Sequence, residues 1–150
     1  MTDLRALQDK QEITELCYRY GLTLDSRDWA GLAAVFTPDA NAFYLDMPPC
    51  HGYQAIEDTC RAALEPMSAT QHLICNVVVR LDGDRAGSSC YLQAQHVKAG
   101  TPGGDHFIIA GRYDDQLIRT PHGWRIRERR LALIWTSGNP AVAGPERTAQ

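Results

Sequence analysis

The second half of the chain leaves little choice of architecture. From Gln71 onward four long stretches, Gln71 to Leu81, Ala86 to Lys98, His106 to Arg119 and Trp124 to Trp135, have strand character. Each separator is turn chemistry: Asp82-Gly83-Asp84, Ala99-Gly100-Thr101-Pro102-Gly103-Gly104 and Thr120-Pro121-His122-Gly123. Strands of this length joined so tightly pair antiparallel and form a strongly bent sheet.

The first half reads differently. Leu4, Leu7, Ile13, Leu16, Cys17 and Tyr20 recur at helical steps, predicting a long amphipathic helix to about Leu24, capped by Asp3 or Thr2. Trp29 to Phe36 reads as a short second helix with Asp28 as its cap, and Ala40 to Leu45 as a strand after the turn Thr37-Pro38-Asp39. Met47 to Gly52 is a loop. Tyr53 to Leu64, with Ile56, Cys60 and Leu64 four apart, is a third helix. Helices first and antiparallel strands afterwards describe an α+β domain, its helices closing one side of the sheet to leave a pocket.

At 150 residues and 44% hydrophobic, the chain can bury one core, so residues 1–150 are expected to form a single domain, with 139–150 as a flexible flap or disordered end. A net charge of -3 with scattered cations gives no stripe for nucleic acid, and no apolar run approaches a membrane span, so the expected partner is a small molecule. Five cysteines without CxxC spacing argue for reduced thiols, and the Met-Thr-Asp-Leu-Arg start has no apolar leader region; both point to the cytoplasm.

Within this frame a few polar residues fall in phase with apolar ones. In Ala69 to Asn76 and the valines after it, period two puts His72 on one face with Ile74, Asn76 and Val78. An imidazole in an apolar cavity is a general base; the alternative is a core histidine satisfied by one hydrogen bond. His96 shares a face with Leu92 and Ala94, or else faces solvent near its strand end. Arg129 shares a face with Leu131, Leu133 and Trp135 and would need an anion or a carbonyl there, although Arg125, Arg127 and Arg130 leave open a merely basic strand. Asp25 lies at the junction of two helices, where a turn or capping role is the ordinary one, and Tyr44 can be a core aromatic with a wet hydroxyl.

The segment Leu24-Asp25-Ser26-Arg27-Asp28-Trp29, then Tyr44, Thr70-Gln71-His72, His96 and Gly123-Trp124-Arg125-Ile126, resembles the SnoaL-like branch of the cone-shaped α+β fold named after nuclear transport factor 2. Its spacing is similar to that of scytalone dehydratases and hexachlorocyclohexane dehydrochlorinases, with the bile-acid 7α-dehydratases as relatives. The resemblance implies active-site roles for Asp25, Tyr44, His72 and His96, an Asp25–His72 dyad and a contributing Arg129. It departs at Leu24, where scytalone dehydratases have a tyrosine, and at Tyr113, where an asparagine is expected. It implies no cofactor and no metal, and no HxH or HExxH spacing suggests one. The expectation is a cofactor-independent lyase acting on a small, cyclic, largely apolar substrate held among Ile74, Leu92, Tyr113 and Trp135. A ketosteroid-type isomerase or polyketide cyclase would keep the dyad, and a non-catalytic accessory subunit would not need it. Relatives assemble through the outer face of the sheet, which implies a homotrimer or homodimer.

Overall fold

The computed structural model describes residues 3–144. Helix α1 spans Leu4–Ser26, α2 Trp29–Ala33 and α3 Tyr53–Leu64; the strands are β1 Phe36–Tyr44, β2 Cys50–His51, β3 Ala69–Asp82, β4 Arg85–Val97, β5 His106–Thr120 and β6 Gly123–Gly138. Together the strands form a curved sheet in the order β2-β1-β6-β5-β4-β3, antiparallel except for the β1–β6 pair. The α+β architecture expected from helices followed by hairpin-linked strands is the one observed.

Local chemistry sets the helix ends. Asp3 caps α1 by accepting the Arg5 N–H at 3.0 Å, and Asp28 caps α2 by accepting the Gly31 N–H at 2.9 Å. The alternative cap Thr2 lies outside the described residues. Helix α2 is shorter than its sequence suggests, because Phe36 already pairs with Ile126 at the start of β1. The loop around His51 contributes the short β2, and His51 Nδ1 lies 2.9 Å from Asn41 Oδ1 on β1.

One face of α1, with Ile13, Leu16, Tyr20 and Leu24 all buried, packs on the inner face of the sheet. Each such side chain contributes about 1.5–3 kcal/mol by burial. At the N-terminal end of α1, Asp9 fixes the helix to the far end of the sheet: it takes a two-pronged ion pair from Arg119 at 2.7 and 2.8 Å and a hydrogen bond from Trp124 Nε1 at 3.0 Å.

The strands are not regular, and their irregularities aim the side chains. Between Cys75 and Val78, β3 carries one residue more than β4, and Asn76 adopts the left-handed conformation (φ 53°). The bulge reverses the alternation, so His72 and Ile74 face inward while beyond it Val77 and Val79 do, leaving Val78 half exposed. Val78 therefore does not share the His72 face as unbroken period two had suggested. A similar slip between Leu133 and Trp135 reverses the end of β6. The segment expected to be a flexible tail begins as structure: Pro140–Ala143 forms a 3-10 turn whose Val142 is fully buried against Phe107 and Ile109. Residues 145–150 lie outside the described residues.

Candidate active site

Gly21 allows the close approach on which the site depends. A Cβ there would lie 3.2 Å from Ile74 Cγ1 and 3.3 Å from His72 Cβ, so the absence of a side chain lets α1 settle against β3. Asp25 follows one turn later on the same side of the helix and reaches His72 directly. Its Oδ2 accepts the His72 backbone N–H at 2.7 Å, and its Oδ1 accepts the Thr70 hydroxyl at 3.1 Å and lies 2.7 Å from His72 Nδ1. Burial works to raise the Asp25 pKa, but the ring and backbone hydrogen bonds from His72, its charge when protonated and the Thr70 hydroxyl outweigh it, so the carboxyl stays below its ordinary value. A carboxylate only accepts, so Nδ1 carries the proton and Nε2 is left as an acceptor.

The His72 ring is 5% exposed and lines a cavity of about 80 Å³. Met47 and Met67, long and flexible, are part of its lining and can adapt to the shape of a guest. His96, buried on β4, also lines it, with its ring 6.1 Å from that of His72 and nearly edge-on to it. Leu92 and Tyr113 complete the part of the lining that the sequence suggested.

Tyr44 lines the cavity too, and its hydroxyl is 2.9 Å from that of Tyr20. Burial pushes the pKa of both tyrosines, and of Tyr113, well up, so all three are neutral hydroxyl groups. Cys60 beside them is pushed up to about 11 by burial and stays a thiol. Tyr20 was not among the residues singled out from sequence, where it counted only as an apolar helix position. The signal was available: Tyr20 lies one turn before Leu24, the position at which the expected tyrosine is missing.

Four of the suggested residues stand elsewhere. Asp25 is behind His72 and not on the cavity wall. Ile74 packs beneath Gly21. Trp135 pairs with Ala110 after the β6 bulge and is 43% exposed on the sheet's other side, so it cannot line the pocket. Arg129 faces inward but is fully buried and off the cavity wall: it grips Asp115 through Nε and Nη2 at 2.8 and 2.7 Å, between the rings of Tyr20 and Tyr113 at 4.1 and 4.0 Å. Burial disfavours its charge, but the Asp115 carboxylate outweighs this and keeps it protonated. Its anion is a cross-strand neighbour rather than a substrate. No cluster of His, Cys, Asp and Glu among the described residues is arranged to hold a metal ion.

Comparison with known proteins gives these residues a context. Residues 5–130 match the SnoaL-like domain. An uncharacterised protein of Mycobacterium tuberculosis is 34% identical over 86% of this chain and 88% of its own length. The terrestric acid biosynthesis cluster protein E of Penicillium crustosum is 29% identical over 93% of this chain and 92% of its own length. A hexachlorocyclohexane dehydrochlorinase superposes with a TM-score of 0.82 over 92% of this chain and 93% of its own, at 18% identity, a likeness that shows the fold. That fold extends to nuclear transport factor 2-like proteins.

Proposed function

The chain belongs to the SnoaL-like family, and from that premise we propose that it is a cofactor-independent lyase that eliminates water or another small leaving group from a neutral, cyclic, largely apolar substrate. The observation that carries this reading is the 2.7 Å contact between Asp25 and His72 Nδ1, which leaves Nε2 as a base at the wall of an apolar cavity. His72 takes a proton from a carbon next to a carbonyl, the electron pair forms the new double bond, the leaving group departs, and the imidazolium returns the proton to it. Asp25 stabilises the imidazolium meanwhile.

Of the hydrogen-bonded Tyr44 and Tyr20 hydroxyls, the one that accepts from the other keeps its own proton free and is the donor for the substrate carbonyl as negative charge develops on it. Arg129 serves this site from behind, its fixed positive charge against the Tyr20 ring opposing the effect of burial on the phenol. His96 orients the leaving hydroxyl. Among the described residues no carboxylate, guanidinium or ammonium group lines the cavity, which supports an uncharged substrate. The reading includes self-association as a homodimer or homotrimer through the sheet's outer side, where Leu73, Tyr91 and Trp135 are exposed. A monomer by light scattering at micromolar concentration would remove that part.

A second reading keeps the dyad and changes the fate of the proton: isomerisation or cyclisation of a polyketide-like ketone. It is favoured by the likeness to a protein of a terrestric acid biosynthesis cluster. One experiment separates the two. Phenolic, steroid and polyketide ketones that raise the melting temperature are incubated with the enzyme and the products weighed by mass spectrometry. Loss of a water mass supports the lyase, while an unchanged mass with a shifted double bond or a new ring supports the alternative. Binding without any product would return the chain to the non-catalytic accessory proteins.

A further inference from the structure

Behind the dyad runs a hydrogen-bond chain whose direction is fixed at its far end. Arg27, which ends α1, is in the left-handed conformation (φ 59°), a strained choice for a residue with a long side chain and one that glycine or asparagine would fill more easily. The side chain shows what the choice supplies. Nη1 donates to the Leu24 carbonyl at 2.5 Å and to the Thr70 hydroxyl at 2.8 Å, and Nη2 donates to the Leu64 carbonyl at 2.8 Å, so one guanidinium ties the ends of α1 and α3 to the start of β3.

A guanidinium has no acceptor atom, so the Thr70 oxygen must receive from Arg27. Its single proton is then free to point at its other neighbour, Asp25 Oδ1, 3.1 Å away. We propose that Arg27 and Thr70 are positioning residues of the dyad: the chain Arg27 to Thr70 to Asp25 holds the carboxylate ionised and in place as an acceptor, and so commits His72 Nδ1 to donating and Nε2 to the cavity. Burial drives Asp25 toward its protonated form, and the Thr70 hydroxyl adds to the hydrogen bonds from His72 that oppose it. A protonated Asp25 could itself donate to Nδ1, and the base would then face the wrong way. The titratable and charged groups around Asp25 are His72 on β3, with His96 beyond it on β4, and Arg27 itself.

This inference deepens the reading of the dyad as a base and rests on it for its effect on turnover, but its test needs no substrate. The Asp25 side-chain carboxyl carbon is titrated by NMR in the ligand-free protein, with Asp25→Asn identifying the signal. The titration is expected to move upward in Thr70→Val, which keeps the branched shape and removes the hydroxyl, and in Arg27→Met. It is expected to stay in place in Thr70→Ser. A folded Thr70→Val protein whose Asp25 titrates as in the wild type would overturn the proposal and leave Arg27 and Thr70 as a packing staple. Should Arg27→Met fail to fold, the Thr70 pair decides alone. An unmoved titration would leave the elimination chemistry standing, and a failed search for elimination would leave this result standing.

Discussion

Asp25 and Asp115 are both carboxylates set against the inner face of the same sheet, and their partners divide their work. Asp115 meets Arg129 in a two-pronged pair, neither side chain exposed, enclosed by tyrosine rings. Asp25 meets His72, whose ring borders a cavity and whose second nitrogen is left over after the pair has formed. A carboxylate sealed against a permanent cation has a structural part to play; one against an imidazole at a cavity wall is placed to orient that ring, which is the part the proposed function gives to Asp25.

Breaking the closed pair should have the largest effect. Asp115→Asn leaves the Arg129 charge buried and uncompensated and is expected to cost about 3–5 kcal/mol of stability, read by urea denaturation. Replacing both partners with apolar residues should recover much of that loss. The open pair should respond the other way. Asp25→Asn is expected to lower turnover by about 10²-fold with a much smaller change in stability, and combining it with a His72 substitution should add little more, since a base and its orienting partner act as one unit. Denaturation and kinetics on the same variants check both halves of the contrast.

Asp9 sharpens the comparison at the other end of α1. The Arg119 hydrogen bonds, against the opposing effect of burial and with help from Trp124, hold its pKa at about 2, below its ordinary 3.8. Because the folded value is the lower one, its contribution is present above the ordinary value and lost as pH falls toward about 2. Stability measured from pH 5 downward should therefore decline through that window, and Asp9→Asn should flatten the decline. The smallest effect is expected at Gly21. Gly21→Ala gains up to about 1 kcal/mol of helix propensity but meets Ile74 and His72, so net stability should change little while turnover falls as α1 lifts from the dyad.

Much of this was legible in the sequence, and the failures have common causes. Helical spacing on α1 and α3 and turn chemistry between the long strands gave the elements, because each is a local signal. The inward phase of His72 and His96 was also local. What period two could not see was the added residue at a bulge: Asn76 and the slip near Leu133 each reverse the alternation, which moved Val78 and Trp135 off the inner face. Arg129 was aimed correctly and given the wrong partner. Asp115 stands in phase with Tyr113 and Leu117, but that it lies opposite Arg129 depends on a register set by the bulges. Tyr20 and Arg27 were missed because their roles lie in contacts with β1 and β3, which helical spacing does not encode.

The central claim is that His72 is a base in the cavity, and its most direct test is turnover by His72→Gln on a substrate confirmed to bind. The substitution keeps a polar side chain of similar reach and removes the group that accepts the proton. The account predicts normal folding, nearly unchanged ligand affinity and turnover lower by about 10²-fold or more. Turnover by His72→Gln close to that of the wild type would contradict it.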